Sequence, residues 1–206
     1  MKFFVLPVLL LLLSSDFILP QNRPDSLNTE SGWLQAGLGF SGAKFQNSKT
    51  GFLFGLGGTI KSGDNLISLR FNKNTEITIF GPDPPGEIWT LEALYGRAFA
   101  FSNKRAIIPI IFPIGLLFKG NFNCLFNISA GISYVSLKER TPLMLTRDFL
   151  NSTYDYKITG RFGVPVELEL INWFSRNFAL GTGVYSNING GKIFVGFREN
   201  VYIGIF

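Results

Sequence analysis

The sequence contains no histidine, and Cys124 is its only cysteine. Without histidine there is no Ser-His-Asp or Cys-His constellation and no ordinary His-containing zinc site. A lone cysteine cannot form an internal disulfide, and with no base to activate it Cys124 is read as structural or incidental. Charge is scarce: Asp, Glu, Lys and Arg make up 16% of the 206 residues, against roughly 25% in an ordinary soluble domain. Past the N-terminus there is no run of about 18 or more apolar residues, which argues against a helical membrane span.

What is present is aromatic and small. Phe, Trp and Tyr reach 15%, with 22 Phe, alongside 23 Gly. Mean hydropathy is +0.24, high for a chain without a long apolar run. A β-barrel spreads its apolarity over many short strands in this way. The net charge is +5, but cationic blocks such as Lys104-Arg105 and Lys138-Glu139-Arg140 are short and mixed. They read as membrane-flanking or turn charges and not as a nucleic-acid footprint. The length suits one domain and is short for two.

Residues 1–15 have the pattern of a secretory signal. Lys2 supplies a minimal charged start, residues 3–13 an apolar core, and Asp16 interrupts it before it reaches membrane-spanning length. Ser14 and Ser15 are small, but no A-x-A pattern places the cleavage point, and a retained anchor is the alternative. Residues 16–30 form a polar leader, and residues 31–206 carry the expected barrel.

From residue 31 the chain becomes a series of alternating segments. Leu34, Ala36, Leu38 and Phe40 share one strand face, with Gln35, Gly37, Gly39 and Ser41 on the other. Phe52, Phe54, Leu56 and Ile60 repeat the pattern, as do Ile67, Leu69 and Phe71, then Trp89, Leu91, Ala93 and Tyr95. The clearest case sets Phe162, Val164, Val166, Leu168 and Leu170 against Arg161, Gly163, Pro165, Glu167 and Glu169, a sorting that no period of 3.6 achieves. Ser62-Gly63-Asp64-Asn65 and Ser175-Arg176-Asn177 are turn signals, and residues 81–86 are too Pro-rich for a strand interior. The middle is less regular. Residues 106–118 are almost wholly apolar but contain Pro109 and Pro113, and are expected to be an irregular insertion or part of an extra hairpin. Residues 139–155 are expected to be a long loop. The fold expected is an all-β, antiparallel up-and-down transmembrane barrel of eight strands, with ten as the fallback, and with the first strand near Trp33 pairing with the last near Tyr202.

Alternation alone does not say which face is inside. The face opposite the apolar one is rich in Gly, which suits a tight lumen, whereas a water-facing surface carries more Lys and Glu. Trp89, Tyr95, Phe40, Tyr134 and Trp173 fall at the ends of apolar faces, as interfacial girdles do. The chain stops at V-Y-I-G-I-F, and Tyr202 with Phe206 matches the aromatic terminal strand of outer-membrane barrels.

Three stretches carry a resemblance: A-G-I-S-Y-V at residues 130–135, G-V-P-V-E-L-E-L at residues 163–170, and G-K-I-F-V-G-F followed by the terminal V-Y-I-G-I-F. On these the mature region resembles the small outer-membrane β-barrel domains of OmpA/OmpX type and is similar to uncharacterised barrel proteins of Bacteroidota-like bacteria. Residues 106–123 depart from the pattern. The resemblance implies an envelope location, a porin-like barrel fold and recognition by the barrel-assembly machinery, with Tyr202 and Phe206 as the assembly signal. It implies no settled activity.

One pair of carboxylates invites a chemical reading. Glu167 and Glu169 lie two apart on one strand face, roughly 7 Å by the strand rise, a spacing that suits acid/base work on a sugar. Both are also expected to face the lumen with Arg70, Glu92 and Arg161, and buried charges persist when paired. The structural lumen network is the reading adopted, and no cofactor, metal or catalytic residue is assigned. The expected function is a non-enzymatic barrel with a structural or surface-interaction role in the outer membrane of a Gram-negative bacterium. Its expected surroundings are membrane lipid and lipopolysaccharide, and it is expected to be a monomer that binds no nucleic acid. The alternatives are a narrow channel and a periplasmic, water-soluble lipid-binding barrel.

Overall fold

Each alternating segment becomes a strand, because a pleated chain with one apolar and one polar face is stable only where the two faces meet different surroundings. A computed structural model of the chain describes residues 30–42, 50–77, 86–108, 116–147, 152–190 and 192–205. The strands are β1 (Ser31–Gly42), β2 (Thr50–Ser62), β3 (Asn65–Glu76), β4 (Glu87–Ile108), β5 (Leu116–Arg147), β6 (Ser152–Ser175), β7 (Phe178–Asn189) and β8 (Lys192–Ile205). Each pairs antiparallel with the next, and β8 returns to β1 to close an eight-stranded barrel. At that seam Trp33 lies opposite Gly204 and Gln35 opposite Tyr202. Closure leaves no open edge around the wall, so its backbone donors and acceptors are satisfied from strand to strand.

The β2–β3 connection is tight. Gly63 takes a left-handed backbone, φ 60°, which glycine adopts without steric cost and which fits the twist of a short hairpin. The β6–β7 connection is equally short, with Ser175 opposite Phe178. Both turns lie at the near rim, where β1 begins and β8 ends.

Two expectations about the middle of the chain are corrected. Residues 106–108 and 116–118, the described parts of the stretch expected to be an insertion or an extra hairpin, are paired strand. The ladder of β4 and β5 continues from Ser102 opposite Asn123 to Ile108 opposite Leu116, across one register shift between Asn103 and Arg105. Nor are residues 139–155 a long loop, because β5 and β6 stay paired out to Arg147 opposite Ser152. Pro142 hid this continuity. It has no N–H to donate, and the ladder steps over it, from Arg140 opposite Tyr156 to Met144 opposite Tyr154. β3 likewise runs past Lys73 to Glu76. With a single β4–β5 hairpin the count is eight and the ten-strand fallback falls away. The signal at 1–15, the leader to residue 29, the Pro-rich segment at 81–85 and Phe206 lie outside the described residues.

The two faces separate cleanly. Leu34, Leu38, Phe40, Phe52, Leu56, Ile60, Ile67, Leu69 and Phe71 point out of the barrel and are exposed, while Gln35, Ser41, Thr59, Ser68, Arg70 and Asn72 on the same strands are buried inside it. The core of this protein is therefore its polar face.

Candidate functional site

Inward side chains of an eight-stranded barrel meet across a narrow lumen, so residues distant in sequence become neighbours. The lumen has three layers. At the near rim Trp33, Leu66, Ala98, Leu125, Ile171, Ala179 and Tyr202 form a buried apolar cluster, with Ala100 and Trp173 packed against it. At the far rim Ile88, Val135, Leu137 and Phe194 form a second. Between them lies a charged layer.

Arg70 on β3 and Glu169 on β6 form its central pair. The Arg70 Nη1 donates to Glu169 Oε1 at 3.0 Å and Nη2 to Oε2 at 2.8 Å, a bidentate fork that fixes both groups. The same Nη2 lies 3.4 Å from Glu167 Oε2. From β8, Arg198 binds Glu167 Oε1 through Nη2 and Asn72 Oδ1 through Nη1; its Nη2 is also 3.7 Å from Glu169 Oε1. The Tyr202 hydroxyl donates to Glu169 Oε1 at 2.9 Å and Asn200 Nδ2 to the same oxygen at 3.3 Å. Two guanidinium groups thus hold two carboxylates, all four side chains being 1–2% exposed. Removing such charges from water is costly, and pairing with hydrogen bonds on the remaining lone pairs offsets that cost.

Room for Arg198 comes from glycine on the facing strands. A Cβ at Gly37 would lie 2.8 Å from Arg198 Cγ and Cδ, and one at Gly55 would lie 3.1 Å from Cδ. The guanidinium stem runs over two positions that any larger residue would fill.

Glu92 belongs to a neighbouring cluster. It stands directly opposite Arg70 in the β3–β4 ladder, yet its Oε1 accepts from Thr90 Oγ1 at 2.7 Å, Tyr185 OH at 2.8 Å and Asn187 Nδ2 at 3.3 Å. Asn187 Nδ2 donates in turn to Ser133 Oγ at 2.8 Å.

Of the residues expected in the lumen network, the barrel brings Arg70, Glu167 and Glu169 into contact and puts Glu92 beside them. Arg161 is not among them. It has the inward parity of Glu167 and Glu169 but sits at the far rim, exposed, with Nη1 donating to the Gly190 carbonyl of the β7–β8 turn. Tyr202, expected only as part of a terminal signal, is also a fully buried lumen residue. Trp173, expected in an aromatic girdle, faces inward against the near-rim cluster. Sequence reasoning missed Arg198. Its signal was there, since Phe194, Gly196, Arg198, Asn200 and Tyr202 form the inward row of β8, all of them buried.

The outer face is the second candidate site. Trp89 on β4, Tyr134 on β5 and Phe162 on β6 form a row of rings, with centroids 5.8 Å and 5.9 Å apart. Phe40 and Phe52 meet edge to face at 6.2 Å. Lys73, opposite Trp89 in the β3–β4 ladder and paired with Glu87 at 3.3 Å, lies beside these rings, and Lys138, over the Tyr156 ring at 4.5 Å, lies further toward the far rim. An apolar middle bordered by aromatic rings and cations is the sequence of surroundings met on leaving a bilayer. Among the described residues no group of three or more His, Cys, Asp and Glu side chains is placed to hold a metal ion.

No family model matches the sequence, and no curated protein does either. The fold has solved counterparts. One is Ail, the attachment invasion locus protein of Yersinia pestis, in complex with the heparin analogue sucrose octasulfate. It superposes with a TM-score of 0.52 at 10% identity, over 85% of this chain and 98% of that one. Another is Neisserial surface protein A, with a TM-score of 0.51 at 10% identity, over 84% of this chain and 96% of the other. The architecture is that of small outer-membrane barrels, reached by a sequence that shares little with them.

Proposed function

We propose that the chain is a non-enzymatic β-barrel of a Gram-negative outer membrane, with a structural or surface-interaction role. Residues 1–15 are its export signal, residues 16–30 its polar leader and residues 31–206 the barrel. At the finer level it is of the OmpA/OmpX type, akin to barrels of Bacteroidota-like bacteria.

The observation that carries this reading is the direction of the two faces. Water-soluble barrels bury apolar side chains and wet polar ones. Here Ile132, Leu34 and Ile203 are 63–70% exposed on the outside while Arg70, Glu92 and Glu169 are 1–2% exposed on the inside. A continuous apolar belt around a barrel far exceeds the few hundred Å² that soluble monomers tolerate, and hydrocarbon is the surrounding that stabilises it. A carrier of apolar ligands needs an apolar lumen, and this lumen is polar through its middle. A channel needs an open path, and this lumen is crossed by buried, paired side chains with apolar clusters toward both rims.

Lipid and lipopolysaccharide around the belt, and the barrel-assembly machinery acting on strand β8, are the partners this reading brings. Cell fractionation combined with gel mobility before and after boiling tests it. The expected result is recovery in the outer membrane with a mobility shift on boiling. A product that stays soluble without detergent and shows no shift would overturn it.

A further inference from the structure

The outward row of β8 reads Ile193, Val195, Phe197, Glu199, Val201, Ile203 and Ile205, and Glu199 is its centre. A carboxyl group therefore sits at mid-depth on the lipid face. Across the β7–β8 ladder it stands opposite Thr182 and across the seam opposite Leu38. The Thr182 hydroxyl donates to its two oxygens at 3.1 Å and 3.3 Å, and among the described residues no second donor reaches it. The outward rows of the flanking strands hold nothing ionisable: Phe178, Leu180, Val184, Ser186 and Ile188 on β7, and Leu34, Ala36, Leu38 and Phe40 on β1.

We propose that this face of β7, β8 and β1 is a contact between two copies of the chain, centred on Glu199. The proposal rests on the membrane placement argued above. Hydrocarbon offers no hydrogen bond, and a polar group left unmatched in it is costly. Lipid cations lie at the headgroups, half a bilayer from the centre of the belt. A second copy solves the problem by symmetry. Two-fold interfaces are self-complementary, and an axis parallel to the barrel axis beside Glu199 brings two carboxyl groups to the same depth. In acid form a carboxyl both donates and accepts, so two of them satisfy each other through a reciprocal pair of hydrogen bonds. Ala36 and Thr182 are short enough to let the two walls approach, and Phe197, Val201, Leu38 and Val184 surround the contact with apolar surface. This proposal sets a pair against the monomer expected from the sequence.

The full-length chain is folded in detergent, and its association state is read by sedimentation, with the boiling shift recorded on every sample. The wild type is expected to be dimeric. Glu199→Gln is expected to remain dimeric, because two amides pair as two acids do, and Glu199→Leu is expected to be monomeric while keeping the boiling shift. A monomeric wild type, or a Glu199→Leu protein as dimeric as the wild type, overturns the proposal. Loss of the dimer in both variants points to a cationic partner group instead and overturns the reciprocal pair. A protein that needs no detergent and shows no shift overturns the membrane placement itself, a failure distinct from the others.

Discussion

Arg198 and Arg161 show how unequal two inward arginines can be. Arg198 is inaccessible, wrapped by Glu167, Asn72 and the glycines of β1 and β2. Arg161 is exposed and holds one backbone carbonyl. Truncating a buried ion-pair partner leaves the other charge behind, at a cost of about 3 kcal/mol or more. Arg198→Ala leaves Glu167 with only the 3.4 Å approach of Arg70, and a loss of that order is expected in urea unfolding of the folded barrel. Arg161→Ala is expected to lie within about 0.5 kcal/mol of the wild type, as exposed substitutions do. Equal losses in the two variants would contradict the placement of either side chain. Parity in the sequence placed Arg70, Glu92, Glu167 and Glu169 on the inner face. It also placed Arg161 there, because parity gives the face of a residue and not its depth.

At the scale of the element, strand β6 offers a test of the surroundings. Its outward residues run from Phe162, 82% exposed at the far rim, through Val164 to Val166 and Leu168 at 36–38% in the belt. A lysine facing lipid costs about 2–4 kcal/mol at the midplane and about 0–1 kcal/mol near the interface. Val166→Lys is therefore expected to lower unfolding stability in lipid by an amount in the first range, and Phe162→Lys by an amount in the second. If both are neutral, the outer face is not in hydrocarbon. The elements also mark where alternation stopped being informative. Within the belt, two different solvents force a period of 2. Past the belt the backbone of β4, β5 and β6 stays paired, and pairing by itself imposes no alternation of residue type. Pro109 and Pro113 then looked like breaks, and residues 139–155 like a loop, although the β5–β6 ladder merely steps over Pro142.

For the whole molecule, the order of layers matters more than any one contact. Charges occupy the middle of the lumen, and apolar clusters lie toward both rims. An ion entering would have to leave its water at the first cluster and then displace the salt bridges of the second layer. Reconstitution in planar bilayers is expected to give no discrete conductance steps, and steps that persist with purified, boiling-sensitive barrel would show that the lumen opens. The same layering accounts for the low charge content noticed at the outset. An outward wall in lipid has almost no use for it, and a narrow lumen accepts only what it can pair.

The amino-acid order alone pointed to an antiparallel barrel with one apolar face and an opposite face that gathers its charge, because those features follow from a local period of 2 and from composition; which face turns inward, and that Trp173 belongs to it, came from the structure. The order did not determine the strand boundaries beyond the belt, the choice of Glu169 over the adjacent Glu92 as the bidentate partner of Arg70, or the part played by Arg198. Those were decided by closure. Only when β8 meets β1 do side chains separated by up to 126 positions come within hydrogen-bonding reach across the lumen, and a contact of that kind leaves no periodicity in the chain that makes it.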